Sequence, residues 1–529
     1  MIETPRGRRG MVTAPHHLAA QAGLAILRDG GNAVEAMVAA AAAIAVVYPH
    51  MNAIGGDGFW LIAEPGEPPV AIEACGTAAA AATPALYREL GLAEIPTRGG
   101  LAANTVAGAV GGWQVALKHA ARWGTPLPRA RLLEDAVYHA RAGIAVTDSQ
   151  RRYTAAKWDE LKDQPGFRAV FAPAGAPPPT GSLLANPALA TTLERLAEAG
   201  FDDFYRGDLA RSLAADLERA GSPVALADLA GYRARLVAPL KLELPCGTLW
   251  NLPPPTQGLA SLMILGIFSR LDVAEADGFA HVHGLVEATK RAFAVRDRHI
   301  ADPAAMTVDP AGFLAGAALA EQAAEIDPRR AADWGAPATA GDTVWLGATD
   351  GAGRAVSFIQ SVYWEFGAGI VGRDTGVLWQ NRGASFKLDP AATNALAPGR
   401  RPFHTLNPAF ARLKDGRQLV YGTMGGDGQP QTQAAVFTRY ALFGQALQAA
   451  VSAPRWLLGR TWGSPSITLK LESRWPERLV AALTAAGHPI EMVDAFSDLV
   501  GHAGAVARLP NGVLEGAADP RSDGGVATF

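Results

Sequence analysis

Two hydrophobic patterns divide this 529-residue chain. One is an unbroken apolar run, Ala36 to Tyr48, 13 residues long. It suits a helix buried on every side and is too short to cross a bilayer. Asn32 caps its start and Pro49 ends it. The other pattern is alternation. Thr343-Val344-Trp345-Leu346-Gly347-Ala348-Thr349-Asp350 reads as a strand, Asp350-Gly351-Ala352-Gly353 as a turn, and Arg354 to Gln360 as a second strand.

The same reading extends along the chain. Gly10 to Ala14 is a strand, and His16 to Arg28 a helix stopped by Asp29-Gly30-Gly31. Gly55-Gly56-Asp57-Gly58 is a tight loop before the strand Phe59 to Ala63. A phosphate loop needs its glycines after a strand, before a helix and with a Lys-Ser/Thr pair, so nucleotide binding is rejected here. Asn104 to Val237 is mostly helical, Leu242 to Leu252 a strand ending in three prolines, and Ala280 to Ile300 a long helix. A linker-like stretch, Arg330 to Ala340, precedes Thr343. Beyond it strands are expected at Ala355 to Ser361, Val377 to Gln380, Ala409 to Leu413, Leu419 to Gly422, Ala505 to Leu509 and Val513 to Ala517. Helices are expected at Gln431 to Gln448 and Glu477 to Ala486. Helices outside and strands in the middle predict a layered α+β, αββα architecture.

Composition removes several function classes. With 49% hydrophobic and 18% charged residues the chain can bury a large core and is not disordered. A net charge of -3 argues against nucleic acid as the main partner. Two cysteines, Cys75 and Cys246, exclude a disulfide framework. His16-His17 and His281/His283 have no Cys/His partners at ligand spacing, so they are read as structural and no metal or other cofactor is expected. The basic start leads straight into a strand with no signal peptide, so a cytoplasmic protein without a membrane partner is expected.

Thr343 carries the candidate chemistry. A threonine at a strand start, after a flexible segment, becomes an N-terminus if the backbone breaks between Asp342 and Thr343. Its hydroxyl is then a nucleophile and its freed α-amine the base. The bland reading is turn chemistry, with Asp342 bonding its own backbone.

Ordered motifs along nearly the whole chain then resemble the gamma-glutamyltranspeptidase family. They include His17 through Ala43, Ala53 to Phe59 (with Asp57 in place of a glycine), Thr105-Val106-Ala107-Gly108, Phe204-Tyr205-Arg206-Gly207, Glu287 to Arg296 and Asp519-Pro520-Arg521. The resemblance implies the four-layer αββα sandwich of the N-terminal-nucleophile hydrolases. It implies self-cleavage into residues 1–342 and 343–529, which stay together as one fold, and a dimer of such units is compatible with it. It also implies roles: Thr343 as nucleophile, Ser361 as a hydroxyl bonded to it, and Gly425-Gly426 as the oxyanion hole. Two glycines there are otherwise read as a strand-to-helix turn.

The departures from the family pattern bear on substrate. Tyr363 replaces an asparagine, Ser385 an aspartate that pairs with a substrate ammonium, and His404-Thr405 a serine pair. Arg382 is new at the same wall and offers a planar fork for a carboxylate. Its bland alternative is a structural salt bridge. The stretches Ser357 to Gly369, Trp379 to Phe386 and Pro402 to Ala409 resemble a subgroup, the cephalosporin and glutaryl acylases and oxamate amidohydrolase. The expected function is a self-processing amidohydrolase acting on a small amide that bears a free carboxylate. A gamma-glutamyl hydrolase or transpeptidase with a rebuilt pocket, and a scaffold that kept the fold without catalysis, stay open as alternatives.

Overall fold

The computed structural model describes residues 3–335, 342–459 and 466–529, with only the backbone at 342. Two seven-stranded antiparallel sheets form its centre. One runs in the spatial order Gly525–Thr528, Gly10–Ala14, Asp342–Asp350, Ala355–Tyr363, Asp57–Ala63, Val70–Ala74 and Arg235–Val237. The other runs Arg6–Gly7, Leu514–Ala518, Ala503–Arg508, Gln418–Thr423, Ala409–Leu413, Gly247–Asn251 and Leu240–Leu244. Both sheets mix strands from before and after Asp342. The two sides of the expected cut are therefore interleaved, and separating them would break strand pairs in both sheets.

Side-chain alternation produces the layers. Along Asp342–Asp350, Val344, Leu346 and Ala348 face a core shared with the helices His17–Arg28 and Ala33–Val47. Trp345 faces the other way, into a core with Phe59, Leu61, Ile359, Phe410 and Val420 that fills the space between the sheets. On the second sheet Leu419 and Tyr421 face an outer core with the helices Gly258–Phe268 and Phe279–His299. Helix, sheet, sheet, helix is the expected αββα sandwich. Ala33–Val47 is buried along all of its 15 residues, as its sequence predicts, and Asn32 and Glu35 close a capping box at its start.

Several expected elements differ. Leu242 to Leu252 is a hairpin, Leu240–Leu244 and Gly247–Asn251, because Pro245-Cys246 turns the chain. Val377 to Gln380 is not a strand; Trp379 makes an isolated bridge to Gly55 and Leu378 another to Val371. The helix expected from Gln431 to Gln448 ends at Phe437, passes through one wide turn, Thr438–Leu442, and resumes at Leu447–Ser452. Short edge strands without clear alternation, such as Arg6–Gly7 and Gly525–Thr528, escaped the reading.

Trp345 holds the two sheets in register. Its Nε1–H donates to Ser357 Oγ at 2.9 Å, and Ser357 Oγ lies 3.4 Å from the Tyr421 carbonyl across the sandwich. The indole fits because glycines face it: a Cβ on Gly422 would stand 2.1 Å from its ring, one on Gly504 2.5 Å and one on Gly347 2.6 Å. Gly422→Ala should therefore cost about 1–3 kcal/mol by overpacking, read as a lower urea midpoint. An unchanged midpoint would show that the indole does not set the sheet spacing.

Candidate active site

Three adjacent strands bring three polar side chains to one end of the space between the sheets. Ser361 pairs directly with Asp57 on the neighbouring strand. On the other side, Asp342 pairs with Tyr363 but Val344 with Gln360, so Thr343 stands opposite both Ser361 and Val362 in a β-bulge. Alternation places Thr343 on the face of Trp345, Ser361 on that of Ile359 and Asp57 on that of Phe59, all members of the inter-sheet core. Thr343, Ser361 and Asp57 are at most 2% exposed. The linker before Asp342, residues 336–341, and the Asp342 side chain lie outside the described residues.

The bulge ends in strained backbone. Tyr363 has φ 85°, a left-handed conformation that non-glycine residues rarely adopt. Its N–H donates to Ser361 Oγ at 2.8 Å, and the Arg382 guanidinium lies over its ring at 3.9 Å. The strain is thus held on both sides by residues of the candidate site.

Gly425 and Gly426 come from the opposite sheet. They turn the chain from the strand Gln418–Thr423 into the helix Gly428–Phe437, with φ 115° and 52°. Such angles suit glycine. Trp345 packs on Gly422, three residues before the turn, which puts the turn at the Thr343 end of the sandwich. Among the described residues neither Gly425 nor Gly426 N–H has an acceptor.

Gln257 ties this turn to the His404-Thr405 segment. Its side-chain N–H groups donate to the Gly426 carbonyl at 2.7 Å and the Thr405 carbonyl at 2.8 Å. Its Oε1 accepts from Arg296, which also pairs with Asp427 at 2.7 Å. Burial pushes the Asp427 carboxyl up to about 6 despite that partner. Gln257, Arg296 and Asp427 were not singled out by sequence reasoning. Arg296 ends the motif Glu287 to Arg296 and Asp427 follows the paired glycines, but nothing in the sequence says that they meet.

Arg382 is buried, at 1% exposure. Its Nη1 donates to Thr405 Oγ1 at 3.3 Å and its Nη2 to the Phe403 carbonyl, while Nε–H has no acceptor among the described residues. No carboxylate of the described residues forms a salt bridge with it; its nearest recorded partners are neutral. Burial depresses its basicity, and the charges of Asp57 and Asp427 oppose that effect. The structural salt bridge offered as its bland reading is therefore absent among the described residues.

His404 and Asp57 form the remaining group. His404 Nε2 lies 3.0 Å from Asp57 Oδ2. Asp57 Oδ1 accepts from the Gly76 and Gly108 N–H groups and from Gln380 Nε2, at 3.0 to 3.1 Å. Burial nevertheless raises the Asp57 carboxyl to about 7, and burial together with Arg382 holds the His404 imidazole well below its ordinary value. The sequence marked Asp57 only as a substituted glycine; a charged residue in a glycine loop was the available signal. Ser385 closes the short turn Arg382–Ser385, and its contacts run to Asn394.

Outside the site, one of the histidine readings changes. His16 caps its helix, and His281 bonds Asp277 N–H and Thr438, so both are structural. His283 does have ligand-type partners, because the fold brings it to Glu287 and His488. Those atoms are spent on each other: His283 Nδ1 bonds His488 Nε2 at 2.9 Å, and Lys290 bonds Glu287 at 2.7 Å. The cluster instead holds the chain before the linker, through the Asp327 carbonyl and the Ala332 backbone. Cys75 and Cys246 are free thiols. No helix among the described residues is long and apolar enough to cross a membrane.

The chain is similar to known proteins along nearly its whole length. The gamma-glutamyltranspeptidase family profile matches residues 19–529. An oxamate amidohydrolase proenzyme from Klebsiella pneumoniae is 57% identical over 521 residues, covering 98% of each chain. A glutathione hydrolase-like YwrD proenzyme from Bacillus subtilis is 38% identical, again over 98% of each. A cephalosporin acylase structure from Bacillus halodurans superposes with TM-score 0.91 at 34% identity, covering 100% of this chain and 97% of the other.

The Arg296–Asp427 pair yields a test. In Arg296→Met the Asp427 carboxyl loses its partner, and its folded-state value rises further above that of the unfolded chain. Unfolding free energy should drop by about 3–5 kcal/mol near neutral pH. The loss should shrink towards pH about 5, where the folded carboxyl is protonated and the unfolded one is closer to it. Adding Asp427→Asn should recover much of the difference. A loss that does not vary with pH would contradict the pairing.

Proposed function

The chain belongs to the gamma-glutamyltranspeptidase family, and we propose that it is a self-processing amidohydrolase for small amides that bear a free carboxylate. The buried Arg382 guanidinium carries the reading. It has an unmet Nε–H and no carboxylate paired with it among the described residues, so an anionic substrate completes it. The names of the relatives, oxamate amidohydrolase and cephalosporin acylase, support the same class of reaction.

Processing begins with Thr343 Oγ attacking the Asp342 carbonyl. The peptide bond shifts to an ester, which water hydrolyses. This frees the Thr343 α-amine and leaves fragments 1–342 and 343–529. The fragments are held by strand pairs across both sheets.

In the mature enzyme Thr343 Oγ attacks the substrate amide carbonyl, and its own α-amine takes the hydroxyl proton. Gly425 and Gly426 N–H groups face the developing oxyanion. The α-amine returns the proton to the leaving nitrogen, the amine departs, and water releases the acid from the Thr343 ester. Ser361 lies opposite Thr343 and supports the nucleophile. Arg382, with Tyr363 stacked on it and Thr405 bracing it, binds the carboxylate of the acyl part.

A gamma-glutamyl group adds an ammonium that needs a carboxylate. Ser385 offers none. The Asp57 carboxylate already accepts three N–H groups on Oδ1 and faces His404 with Oδ2. The site is therefore better suited to an acyl group without an α-amine.

The purified protein should run as two bands on a denaturing gel, 342 and 187 residues long (529 minus 342), and as one band in Thr343→Ala. A single full-length band for both would remove the enzyme reading. Arg382→Met should raise KM for oxamate or a glutaryl amide roughly tenfold to a hundredfold, with self-cleavage intact. Equal KM for every acidic amide in the two proteins would take the carboxylate away from Arg382.

A further inference from the structure

An acidic amide presents three polar functions: a carboxylate, a carbonyl oxygen and N–H. The proposed function assigns the first to Arg382 and the second to Gly425 and Gly426. The N–H needs an acceptor, and three in this region are buried without a partner among the described residues: His404 Nδ1, Asp427 Oδ2 and Gln380 Oε1. Thr405 Oγ1 and the Phe403 carbonyl take Arg382, and the Asp57 carboxylate takes four groups. Of the three unpartnered acceptors, His404 Nδ1 belongs to the residue next to Thr405, which holds Arg382. It is buried with no partner among the described residues, on a side chain 1% exposed. Its backbone is fixed by bonds to Pro255 and Gln257, and its ring rests edge-on against Phe59.

We infer that Asp57 is a positioning residue: it engages His404 Nε2 so that Nδ1 is presented as an acceptor for the N–H of the substrate amide. This rests on the acidic-amide reading above. The logic is that of tautomers. An ionised Asp57 can only accept, so Nε2 carries the proton and Nδ1 keeps its lone pair. The three N–H donors on Oδ1 prevent the carboxylate from turning away. They also dictate what Asp57→Asn does. The Asn carbonyl must face those donors, which turns its NH2 group towards His404. Nε2 then accepts, and Nδ1 becomes a donor pointing at another donor. The substitution inverts one proton position with almost no change in shape.

The test uses the processed protein and one acidic amide, at about pH 9, where Asp57 is ionised. Asp57→Asn should lower kcat/KM at least about tenfold, with self-cleavage and the melting temperature close to wild type. His404→Asn places a carbonyl where Nδ1 stands and should keep more activity than His404→Gln, which reaches only the Nε2 position. In the His404→Asn background, adding Asp57→Asn should change kcat/KM by less than about twofold. The inference is overturned if Asp57→Asn alone stays within twofold of wild type, if its loss is the same in both backgrounds, or if His404→Gln is the more active. The two His404 variants decide the matter if Asp57→Asn does not fold. Turnover of the same amide by wild type, and its loss in Thr343→Ala, reports on the proposed function separately.

Discussion

The site depends on how far apart the two sheets sit, and Trp345 sets that distance. Thr343 belongs to one sheet and the Gly425-Gly426 turn to the other. In the roles proposed for them, a nucleophile and the donors to its oxyanion, they must agree to within about half an ångström. An indole two residues from Thr343, wedged against Gly422 and Gly504 of the facing sheet, is a rigid spacer for that purpose. Its hydrogen bond to Ser357 prevents the ring from sliding along the strand. The strands on either side need no unusual sequence, since the precision comes from one large side chain and the glycines that admit it.

The second constraint is charge in a dry place. The site buries two arginines and two carboxylates within a small region. Arg296 and Asp427 solve their desolvation by pairing. Arg382 and Asp57 do not pair with each other. Asp57 is met by N–H donors and an imidazole, whereas Arg382 is met by a ring face, a hydroxyl and a carbonyl. A buried guanidinium left with neutral partners is costly without an anion. On the proposed reading that cost is what selects the substrate, because a neutral amide cannot repay it and an acidic one can.

Much of this architecture was legible in the sequence. Apolar helices, strand alternation and the strand at Thr343 follow from local pattern, and they were placed within a few residues. What failed were elements decided by distant partners. Val377 to Gln380 is a short apolar run that reads like a strand, but only isolated bridges, to Val371 and Gly55, form there. Of the candidate site, Thr343 was named from its place at a strand start, Ser361 and the paired glycines through motif resemblance, and Arg382 through a departure from it. Asp57 was seen and passed over, because its partner His404 lies 347 positions away. Gln257 has no local signature at all: a glutamine after three prolines gives no hint that it stitches two loops together.

The central claim is that Thr343, once freed, carries the acyl group of an acidic amide. Mass spectrometry of the small fragment, quenched during turnover of a slow acidic amide, tests it most directly. The account predicts a fragment that starts at Thr343 and gains the mass of the acyl group, with the adduct on its N-terminal peptide. A fragment starting at another residue, or an adduct carried elsewhere in the chain, would contradict it.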